Sequence, residues 1–505
     1  MQNQAAYAKG LDENINHFIA PVSDKISSFI FYSISVNGVN VPIVVFWLLL
    51  GSVIFTIYMG FVNIRCFKHA IELVRGDYEN PDGKGEISHF QALATALSGT
   101  VGLGNIAGVA VAISLGGPGA TFWMIIGGLL GMSTKFTECT LGVKYRSIGP
   151  LGKVHGGPMH YLSKGLAERG FEKPGKILAA LFAILCIGGS FGGGNMFQIN
   201  QATRQFIFIT GGENSFFYDK SWLFGLIIAV LLGMIIIGGI KQIAKVTEKI
   251  VPFMCVFYVL AALVVIFTNY TEIPNAFALI IKGAFSPEAI GGGILGVMIQ
   301  GFKRATFSNE AGIGSSSIAH SAVKTDEPVT EGIVALLEPF IDTVIICTIT
   351  ALVIIITGTY NNSGVMGGVE LTSEAFANVI SWFPYVLSVG VILFAFSTAI
   401  AWSYYGVQSF AYLFGKSKPI KLAYNLIFCV FVVIGASMNL ESVVNFSDAM
   451  IFAMAFVNII GLYILAPVVK SELNTYLEKV KSGEIVKWKK LAFEQEPDMV
   501  NAANE

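Results

Sequence analysis

The sequence predicts an all-α protein that crosses a membrane about eleven times. Three observations support this fold class. Of the 505 residues, 54% are apolar and only 13% are charged, whereas a soluble chain averages about 25% charged residues. Eleven segments contain the roughly 20 mostly apolar residues that a spanning helix needs. Two of these segments are interrupted by short polar stretches that are rich in glycine.

The predicted spans divide the chain into one extra helix and two halves. They cover residues 41–63, 88–113, 119–143, 177–208, 222–240, 247–268, 290–318, 329–357, 384–414, 421–439 and 443–468. With the first span set aside, each half contains five helices and begins with an interrupted one. These two interrupted helices run in opposite directions, which is typical of an inverted repeat.

The predicted domains follow from this division. They are an N-terminal segment, an extra transmembrane helix, two five-helix repeats and a basic tail, at residues 1–40, 41–63, 88–268, 290–468 and 469–505 respectively. Within the N-terminal segment we expect a short interfacial helix at 15–36. The first 40 residues lack a basic segment followed by an apolar core, so we expect no cleaved signal peptide.

Basic side chains are concentrated on one side of the predicted bundle. With the N-terminus placed outside, the inner loops and the tail carry 24 Lys and Arg residues, whereas the outer loops carry only Lys220 and Lys282. Since cytoplasmic loops are enriched in Lys and Arg, we expect the N-terminus outside and the C-terminus in the cytoplasm. The protein should lie in the cell membrane, either plasma or inner. A net charge of −1 gives no indication of nucleic-acid binding.

The interruptions are Ser98-Gly99-Thr100-Val101-Gly102-Leu103-Gly104-Asn105 and the stretch from Gly301 to Gly312. Backbone without helical hydrogen bonds survives at membrane depth only where it lines a cavity or is buried in protein. Two such breaks in corresponding positions of two halves indicate the binding site of a secondary transporter.

The first break offers backbone groups to a charged ligand. Glycine costs about 1 kcal/mol relative to alanine in a helix, so the three glycines of the first break favour unwinding. The N–H groups at the start of the next half-helix suit a carboxylate, and the carbonyl groups released before it suit Na⁺. Glycines at this spacing also allow tight helix packing, so spacing alone leaves both interpretations open.

Further motifs accompany the first break. They are Gly116-Gly117-Pro118-Gly119-Ala120-Thr121-Phe122-Trp123-Met124, Gly156-Gly157-Pro158-Met159, Phe307-Ser308-Asn309-Glu310-Ala311-Gly312-Ile313-Gly314-Ser315 and Ala319-His320. Together these motifs resemble the signature of the alanine or glycine:cation symporter family (sodium:alanine symporters, amino acid carrier proteins), over about residues 40–470. Ile125 departs from the family's second Trp. Thr306, in Arg304-Ala305-Thr306, departs from the usual Leu or Ile and introduces a hydroxyl group.

The resemblance implies sodium-coupled uptake of a small neutral amino acid such as alanine or glycine. It implies no enzymatic step, no cofactor and no obligatory protein partner. The surroundings that it implies are the lipid bilayer. The residues that it implies for substrate binding are Thr100, Gly102, Gly104, Asn105, Gln198, Phe302, Thr306 and Trp402. Alternatives remain for two of them, since Gln198 or the nearby Asn195 could make an interhelical hydrogen bond and Trp402 could simply pack in the core.

The run Val-Gly-Leu-Gly-Asn at 101–105 is also similar to the first broken helix of the sodium-coupled leucine transporter and its neurotransmitter relatives. This implies a leucine-transporter-like fold, in which one sodium ion lies between this helix and the eighth helix of the ten-helix core. The implied sodium site consists of Ser98, Val101, Ser397 and Thr398, and Na⁺ is a hard cation that prefers oxygen ligands. Alternatively, the two hydroxyl groups bond the carbonyl group four residues back.

Charged residues inside spans are functional hypotheses by default. We expect Lys303, Arg304 and Glu310 to form an internal ion pair that holds the second break together. Further charges inside predicted spans include Lys135, Glu138, Glu338, Asp342 and Asp448. We expect them to form gates or structural pairs, but they leave a proton-coupled amino acid symporter as an alternative. A sodium-coupled carrier of another small polar amino acid, such as serine or glutamine, is a further alternative.

Two other function classes are disfavoured. A channel needs a continuous polar pore, usually built from rings of like groups in an oligomer, and helices broken within one chain argue against it. The sequence contains no nucleophile–base set, metal-ligand spacing or phosphate loop, which argues against a membrane enzyme.

The charge bias predicts the accessibility of two introduced cysteines. An Ile485→Cys variant should react with an impermeant thiol reagent only after the inner face is opened, because its segment belongs to the inner side. An Asn214→Cys variant should react from outside in intact cells. Labelling of both variants, with the unsubstituted chain as background, measures this. The reverse pattern would contradict the orientation and the odd number of spans.

Overall fold

The structure is a computed structural model that describes residues 10–36, 38–78, 83–149, 152–237, 239–286, 293–362, 367–485 and 487. The described chain is helical almost throughout and contains two short antiparallel hairpins. In the first hairpin β1 (Ser33–Val36) pairs with β2 (Val39–Pro42). In the second, β3 (Ser147–Ile148) pairs with β4 (Val154–His155).

The helices before residue 290 form an N-terminal group and the first half. They are α1 (Leu11–Ile30), α2 (Ile43–Tyr58), α3 (Val62–Arg65), α4 (Phe67–Val74), α5 (His89–Thr100), α6 (Val109–Gly116), α7 (Ala120–Lys144), α8 (Pro158–Glu168), α9 (Glu172–Phe191), α10 (Phe197–Ile209), α11 (Ser221–Ile236), α12 (Gly239–Thr268) and α13 (Ile273–Ala284). Wider π-helical turns, Gly104–Gly108 and Gly192–Met196, precede α6 and α10.

The second half contains the remaining helices. They are α14 (Gly293–Asn309), α15 (Ser317–His320), α16 (Pro328–Ala335), α17 (Leu337–Pro339), α18 (Thr348–Ile356), α19 (Val369–Ala377), α20 (Phe383–Phe414), α21 (Lys418–Ser437) and α22 (Leu440–Ser482). A third π-helical segment, Phe340–Cys347, joins α17 to α18.

Several of these helices are long and apolar enough to cross a membrane. In the described part of the chain there are six, or seven if the bent pair α5–α6 counts as one span. The six cover Glu172–Ile209, Gly239–Thr268, Pro328–Ile356, Phe383–Phe414, Lys418–Ser437 and Leu440–Ser482. A polytopic, mostly helical fold is therefore confirmed, whereas eleven spans and the inverted repeat stay predictions.

Three sequence-based boundaries need correction. The N-terminal helix α1 lies at Leu11–Ile30, earlier than 15–36, because the β1–β2 hairpin occupies the following residues. The last helix, α22, continues through Ser482, so the first part of the predicted tail is helical. The second break is shorter than predicted, because α14 remains helical through Asn309.

Glycines let helix α7 approach its neighbours closely. A Cβ atom at Gly127 would lie 3.1 Å from the Phe302 ring, and one at Gly131 would lie 2.9 Å from Cβ of Ala311. Small residues at helix contacts allow backbones to come together in a membrane, where dispersion contacts replace the hydrophobic effect. Helix α7 therefore packs tightly against α14 and the second break.

The predicted pairing of Glu310 with Lys303 and Arg304 is wrong. Both basic side chains instead contact Asp448 on α22: Nζ of Lys303 lies 2.9 Å from its carboxylate, and the guanidinium group of Arg304 donates to the same oxygen. Arg304 and Asp448 are buried, and a buried charge is tolerated when it is paired and hydrogen-bonded. This pairing joins α14 to α22 at some distance along the helix from the second break.

Candidate functional site

The first break separates α5 from α6, and the two helices are bent by 51° relative to each other. Helix α5 ends at Thr100, and two N–H groups that follow it find side-chain acceptors. The N–H group of Gly102 donates to Oδ1 of Asn105 at 2.9 Å, and the N–H group of Leu103 donates to Oε1 of Gln198 at 2.9 Å. Buried backbone groups need such partners, so Asn105 and Gln198 stabilise the unwound segment.

Gln198 therefore makes the interhelical contact that was one of its two predicted roles. Its Nε2 group donates to the carbonyl oxygen of Gly193 at 2.9 Å, within the π-helical turn before α10. The nearby Asn195 points elsewhere and donates to the carbonyl oxygen of Phe428 on α21. Gln198 thus joins two irregular backbone segments, one from each of two neighbouring helices.

Asn105 links the first break to an acidic side chain that sequence reasoning did not place in the site. Its Nδ2 group donates to the Asp342 carboxylate at 2.6 Å. Asp342 also accepts from the hydroxyl groups of Ser308 at 3.2 Å and Thr343 at 2.7 Å. This carboxylate is fully buried, and within the described residues no Lys, Arg or His forms an ion pair with it. A buried carboxylate without a cationic partner is a functional-site candidate.

Helix α20 supplies oxygen atoms on the other side of the first break. The Ser98 hydroxyl group donates to the carbonyl oxygen of Ser397 at 2.8 Å. A Cβ atom at Gly102 would lie only 2.4 Å from Oγ1 of Thr398. This buried Thr398 hydroxyl group has no hydrogen-bond partner among the described residues. An unsatisfied buried hydroxyl group is costly, so this oxygen atom needs a partner. Since it faces the break, a cation bound there could be that partner.

Two other predicted hydroxyl groups have local partners. Thr100 Oγ1 donates to the carbonyl oxygen of Ala96 at 3.3 Å, and Ser397 Oγ donates to that of Phe394 at 3.0 Å. Such back-bonding was the structural alternative for Ser397. Val101, which ends the helical backbone after Thr100, is fully buried.

The second break follows α14 and is held by side chains from other helices. Glu310 has a positive φ of 58°, which is uncommon for a residue other than glycine. Its carboxylate accepts from Nε1 of Trp402 at 2.9 Å and from the hydroxyl group of Ser315. The carbonyl oxygen of Gly312 accepts from Nδ2 of Asn458 on α22 at 3.0 Å. The break is therefore stabilised by hydrogen bonds rather than by the predicted ion pair.

A buried ionic chain runs from α7 to the start of α5. Nζ of Lys135 lies 3.1 Å from Glu338, whose other oxygen lies 3.3 Å from Nε2 of His320. Nδ1 of His320 and Nδ1 of His89 each lie 2.5 Å from a different oxygen of Glu331. Glu331 thus joins the first residue of α5 to α15. The start of the first broken helix is thereby connected to the helix that follows the second break.

Trp402 is fully buried beside both irregular regions. A Cβ atom at Gly194, in the π-helical turn before α10, would lie 2.2 Å from its indole ring. The indole N–H group reaches Glu310 at the second break. The side chain therefore fills the space between these segments, where it can limit the volume available to a ligand.

Phe302 and Thr306 lie on α14, before the second break. The Phe302 ring packs against Gly127 of α7, with its centroid 6.2 Å from that of Trp123. Thr306 is half-buried, and helical spacing puts it on the opposite side of α14 from Ser308, which contacts Gly104. Within the described residues no hydrogen bond or ring contact joins either side chain to the first break, and their contact with substrate stays a prediction.

Sequence reasoning missed Ser308 and underestimated Asp342. Ser308 lies in the motif that runs from Phe307 to Ser315. A Cβ atom at Gly104 would lie 3.4 Å from the Cα atom of Ser308, and this proximity depends on how α14 crosses the first break. Asp342 carried a recognisable signal as an acidic residue within a span. Its pairing with Asn105 depends on a long-range contact that no local pattern indicates.

The broken helix, the amide-stabilised break and the facing hydroxyl group can be compared with known proteins. The profile of the Sodium:alanine symporter family matches residues 26–490. The chain belongs to the sodium:alanine symporter family. This confirms the resemblance drawn from the motifs. With its apolar helices, the chain is a multi-pass membrane transport protein.

Individual relatives cover most of the chain. The sodium/alanine symporter AgcS of Methanococcus maripaludis is 42% identical over 435 residues, which are 85% of this chain and 93% of AgcS. The probable sodium/glutamine symporter GlnT of Bacillus subtilis is 36% identical over 440 residues, which are 86% of this chain and 88% of GlnT. These relatives support sodium-coupled amino acid symport as the general activity.

A solved structure supports the fold. The crystal structure of MhsT in complex with L-phenylalanine has a TM-score of 0.53 to this chain and 17% sequence identity, and the match covers 78% of this chain and 99% of MhsT. MhsT has the leucine-transporter fold. The likeness concerns the fold alone.

The close contact at Gly102 makes a testable prediction. In a Gly102→Ala variant the new methyl group would lie 2.4 Å from Thr398 Oγ1 and 3.0 Å from Gln198 Oε1. Overpacking costs about 1–3 kcal/mol, so uptake of labelled alanine into proteoliposomes at low substrate should fall by about tenfold or more.

Gly108→Ala is the matched control. There the nearest atom to a new Cβ is a carbonyl oxygen at 3.9 Å, and uptake should stay near that of the unsubstituted protein. Equal effects of the two substitutions would show that the close packing at Gly102 does not matter for transport.

Proposed function

We propose that the protein is a secondary active symporter that couples Na⁺ entry to uptake of a small neutral amino acid such as alanine or glycine. The observation that carries this proposal is the unpartnered, buried Thr398 hydroxyl group, which faces the break between α5 and α6. Alanine is favoured by the family and by the activity for which AgcS is named. The proposal includes eleven spans in a 5+5 inverted repeat with the N-terminus outside.

The proposed sodium site lies between the first break and α20. Its ligands are the Thr398 hydroxyl group, the Ser397 hydroxyl group and carbonyl oxygens from Ser98 and Val101. The contact between Ser98 and Ser397 holds the two segments side by side, and a hard cation would satisfy the oxygen atom that lacks a partner. Binding of the ion would thereby fix the geometry of the broken helix.

The proposed substrate site lies on the adjacent face of the same break. The amide oxygens of Asn105 and Gln198 accept from the N–H groups of Gly102 and Leu103, which are the groups a substrate carboxylate would use. Substrate binding would therefore replace or reorient these amides, with Thr100 and Gly104 forming the surrounding backbone. Because Na⁺ orders the same segment, the two ligands would bind cooperatively, and each would tighten the other equally.

The proposed selectivity for small side chains comes from volume. Trp402 occupies the space beside Gly194 and Glu310, and Phe302 and Thr306 would complete the wall when α14 moves during alternating access. The Thr306 hydroxyl group keeps open a preference for a small polar amino acid, and the name of GlnT points to glutamine for that relative.

Proton coupling is the alternative that the buried acidic residues favour, Asp342 above all. Alanine uptake measured with Na⁺ or choline at fixed pH separates the two mechanisms. Sodium coupling requires uptake to collapse in choline, whereas uptake that persists in choline and follows an imposed pH gradient would establish proton coupling instead.

Thr398→Ala tests the sodium site. The substitution removes one oxygen ligand without adding bulk, so the Na⁺ concentration for half-maximal alanine uptake should rise by about tenfold, as expected for a lost interaction of about 1.4 kcal/mol. Affinity for alanine at subsaturating Na⁺ should weaken through the linkage.

Ser409→Ala on the same helix is the control, since this buried hydroxyl group bonds the carbonyl oxygen of Tyr405 at 3.0 Å and lies away from the break. Its sodium dependence should be unchanged. A normal half-saturating Na⁺ concentration in Thr398→Ala would make Thr398 a packing residue.

Thr306→Leu tests the selectivity. If the hydroxyl group pairs with a polar substrate side chain, the ability of serine relative to alanine to compete for uptake should fall by up to roughly tenfold, because a hydrogen bond contributes about 0.5–1.5 kcal/mol. Alanine itself should still be transported. A constant serine-to-alanine ratio would show that Thr306 does not contact the substrate side chain.

A further inference from the structure

Several segments of the chain surround a cavity at one end of the helix bundle. Its volume is about 840 Å³, and its walls come from β4, the α11–α12 junction, the end of α20 and the start of α21. The bias of Lys and Arg along the sequence predicts that the corresponding loops lie on the inner side of the membrane. The structure brings their basic residues together at one end of the bundle.

The cavity has a large excess of positive charge. Its lining includes Lys153, Lys241, Lys416, Lys418 and Lys421. The only carboxylate in the described lining, Glu86, accepts from the N–H group of Val154 at 2.7 Å. Among the described residues none of the five ammonium groups forms an ion pair. Unpaired lysines held this close together favour an anionic ligand.

The pKa of His155 is affected by the same positive charges. Burial lowers the pKa of its imidazole, and the ammonium groups of Lys416 and Lys421 lower it further, although its hydrogen bond with Gln408 acts in the opposite direction. Nδ1 of His155 lies 2.8 Å from Oε1 of Gln408 on α20. Because this amide oxygen can only accept, Nδ1 of a neutral His155 carries the proton and its second ring nitrogen is an acceptor. The lysines, rather than His155, must therefore supply the donors to an anion.

One wall of the cavity is apolar and opens to the lipid-facing surface. It is formed by Ile236, Ile237, Ile240 and Leu422. Ile237 is 70% exposed and Leu422 is 51% exposed, so this wall continues into the apolar outside of the helix bundle. A free phosphate ion would leave this wall and most of the volume unfilled. A ligand with an anionic head and an apolar body matches both parts.

We propose that this cavity binds an anionic glycerophospholipid of the inner leaflet. The phosphate group lies among Lys416, Lys418 and Lys421, and the glycerol and first acyl carbons lie along Ile237 and Leu422. Basic pockets between membrane helices on the cytoplasmic side are suited to such headgroups. The bound lipid connects the α20–α21 turn to the α11–α12 junction, which steadies the inner end of the helix that carries Thr398.

The test uses the purified full chain in detergent and native mass spectrometry to measure binding of phosphatidylglycerol, phosphatidylcholine and inorganic phosphate. The unsubstituted protein should bind phosphatidylglycerol in preference to phosphatidylcholine, and millimolar inorganic phosphate should not displace it. A triple variant with Lys416→Gln, Lys418→Gln and Lys421→Gln should bind phosphatidylglycerol about a hundredfold more weakly, since each lysine near an anionic headgroup contributes about a fivefold factor.

Two further triple variants separate specific charge from total charge. Lys173→Gln, Lys245→Gln and Lys249→Gln remove the same charge from exposed lysines outside the cavity, and this control should bind like the unsubstituted protein. Lys416→Arg, Lys418→Arg and Lys421→Arg together keep the charge, and this variant should also retain binding. If the glutamine triple variant does not elute as a folded protein, Lys418→Gln alone should show a loss of about fivefold.

Three results would overturn the proposal. Equal binding of phosphatidylcholine would mean that the surface holds lipid without regard to charge. Displacement of phosphatidylglycerol by inorganic phosphate would identify a site for a soluble anion. Unchanged phosphatidylglycerol affinity in the folded glutamine triple variant would place the lipid elsewhere.

Discussion

The structure depends on satisfying backbone groups where helices are broken inside the membrane. An unpaired N–H or carbonyl group costs several kcal/mol in hydrocarbon, so every break must receive partners from neighbouring helices. Asn105 and Gln198 supply them at the first break, and Asn458 supplies one at the second. The same side chains therefore hold the fold together and shape the candidate site.

Buried charges follow the same logic and connect distant parts of the chain. Asp448 pairs with both Lys303 and Arg304, while Glu331 joins His89 to His320. Removing one partner of a buried pair leaves an uncompensated charge, which is strongly destabilising. Asp342 differs because hydroxyl and amide donors surround it and no cationic side chain among the described residues pairs with it, so that a cation or a proton could complete the cluster.

Sequence reasoning placed the first break and its α20 neighbour well, because glycine spacing and apolar length are local properties. Helix α5 ends at Thr100, within the predicted stretch, and Ser98 and Gly102 lie against Ser397 and Thr398 of α20, while the sodium site stays a prediction. It misplaced the second break, since Gly301 serves close packing against Trp123 of α7 instead of unwinding α14. A glycine that unwinds a helix and a glycine that allows close helix packing look the same in the sequence. Only the position of the neighbouring helix distinguishes the two roles.

Hydropathy and contiguous motifs were enough to predict the membrane class, the family and a candidate site at the first break, because these features lie within short stretches of sequence. Tertiary structure alone decided which charges pair, since Glu310 meets Trp402 and Arg304 meets Asp448 across long separations in sequence. It also gathered lysines from separate loops around one cavity with an apolar wall. These outcomes depend on how helices cross, and crossing is set by side-chain packing summed over the whole bundle, which no short stretch of sequence contains.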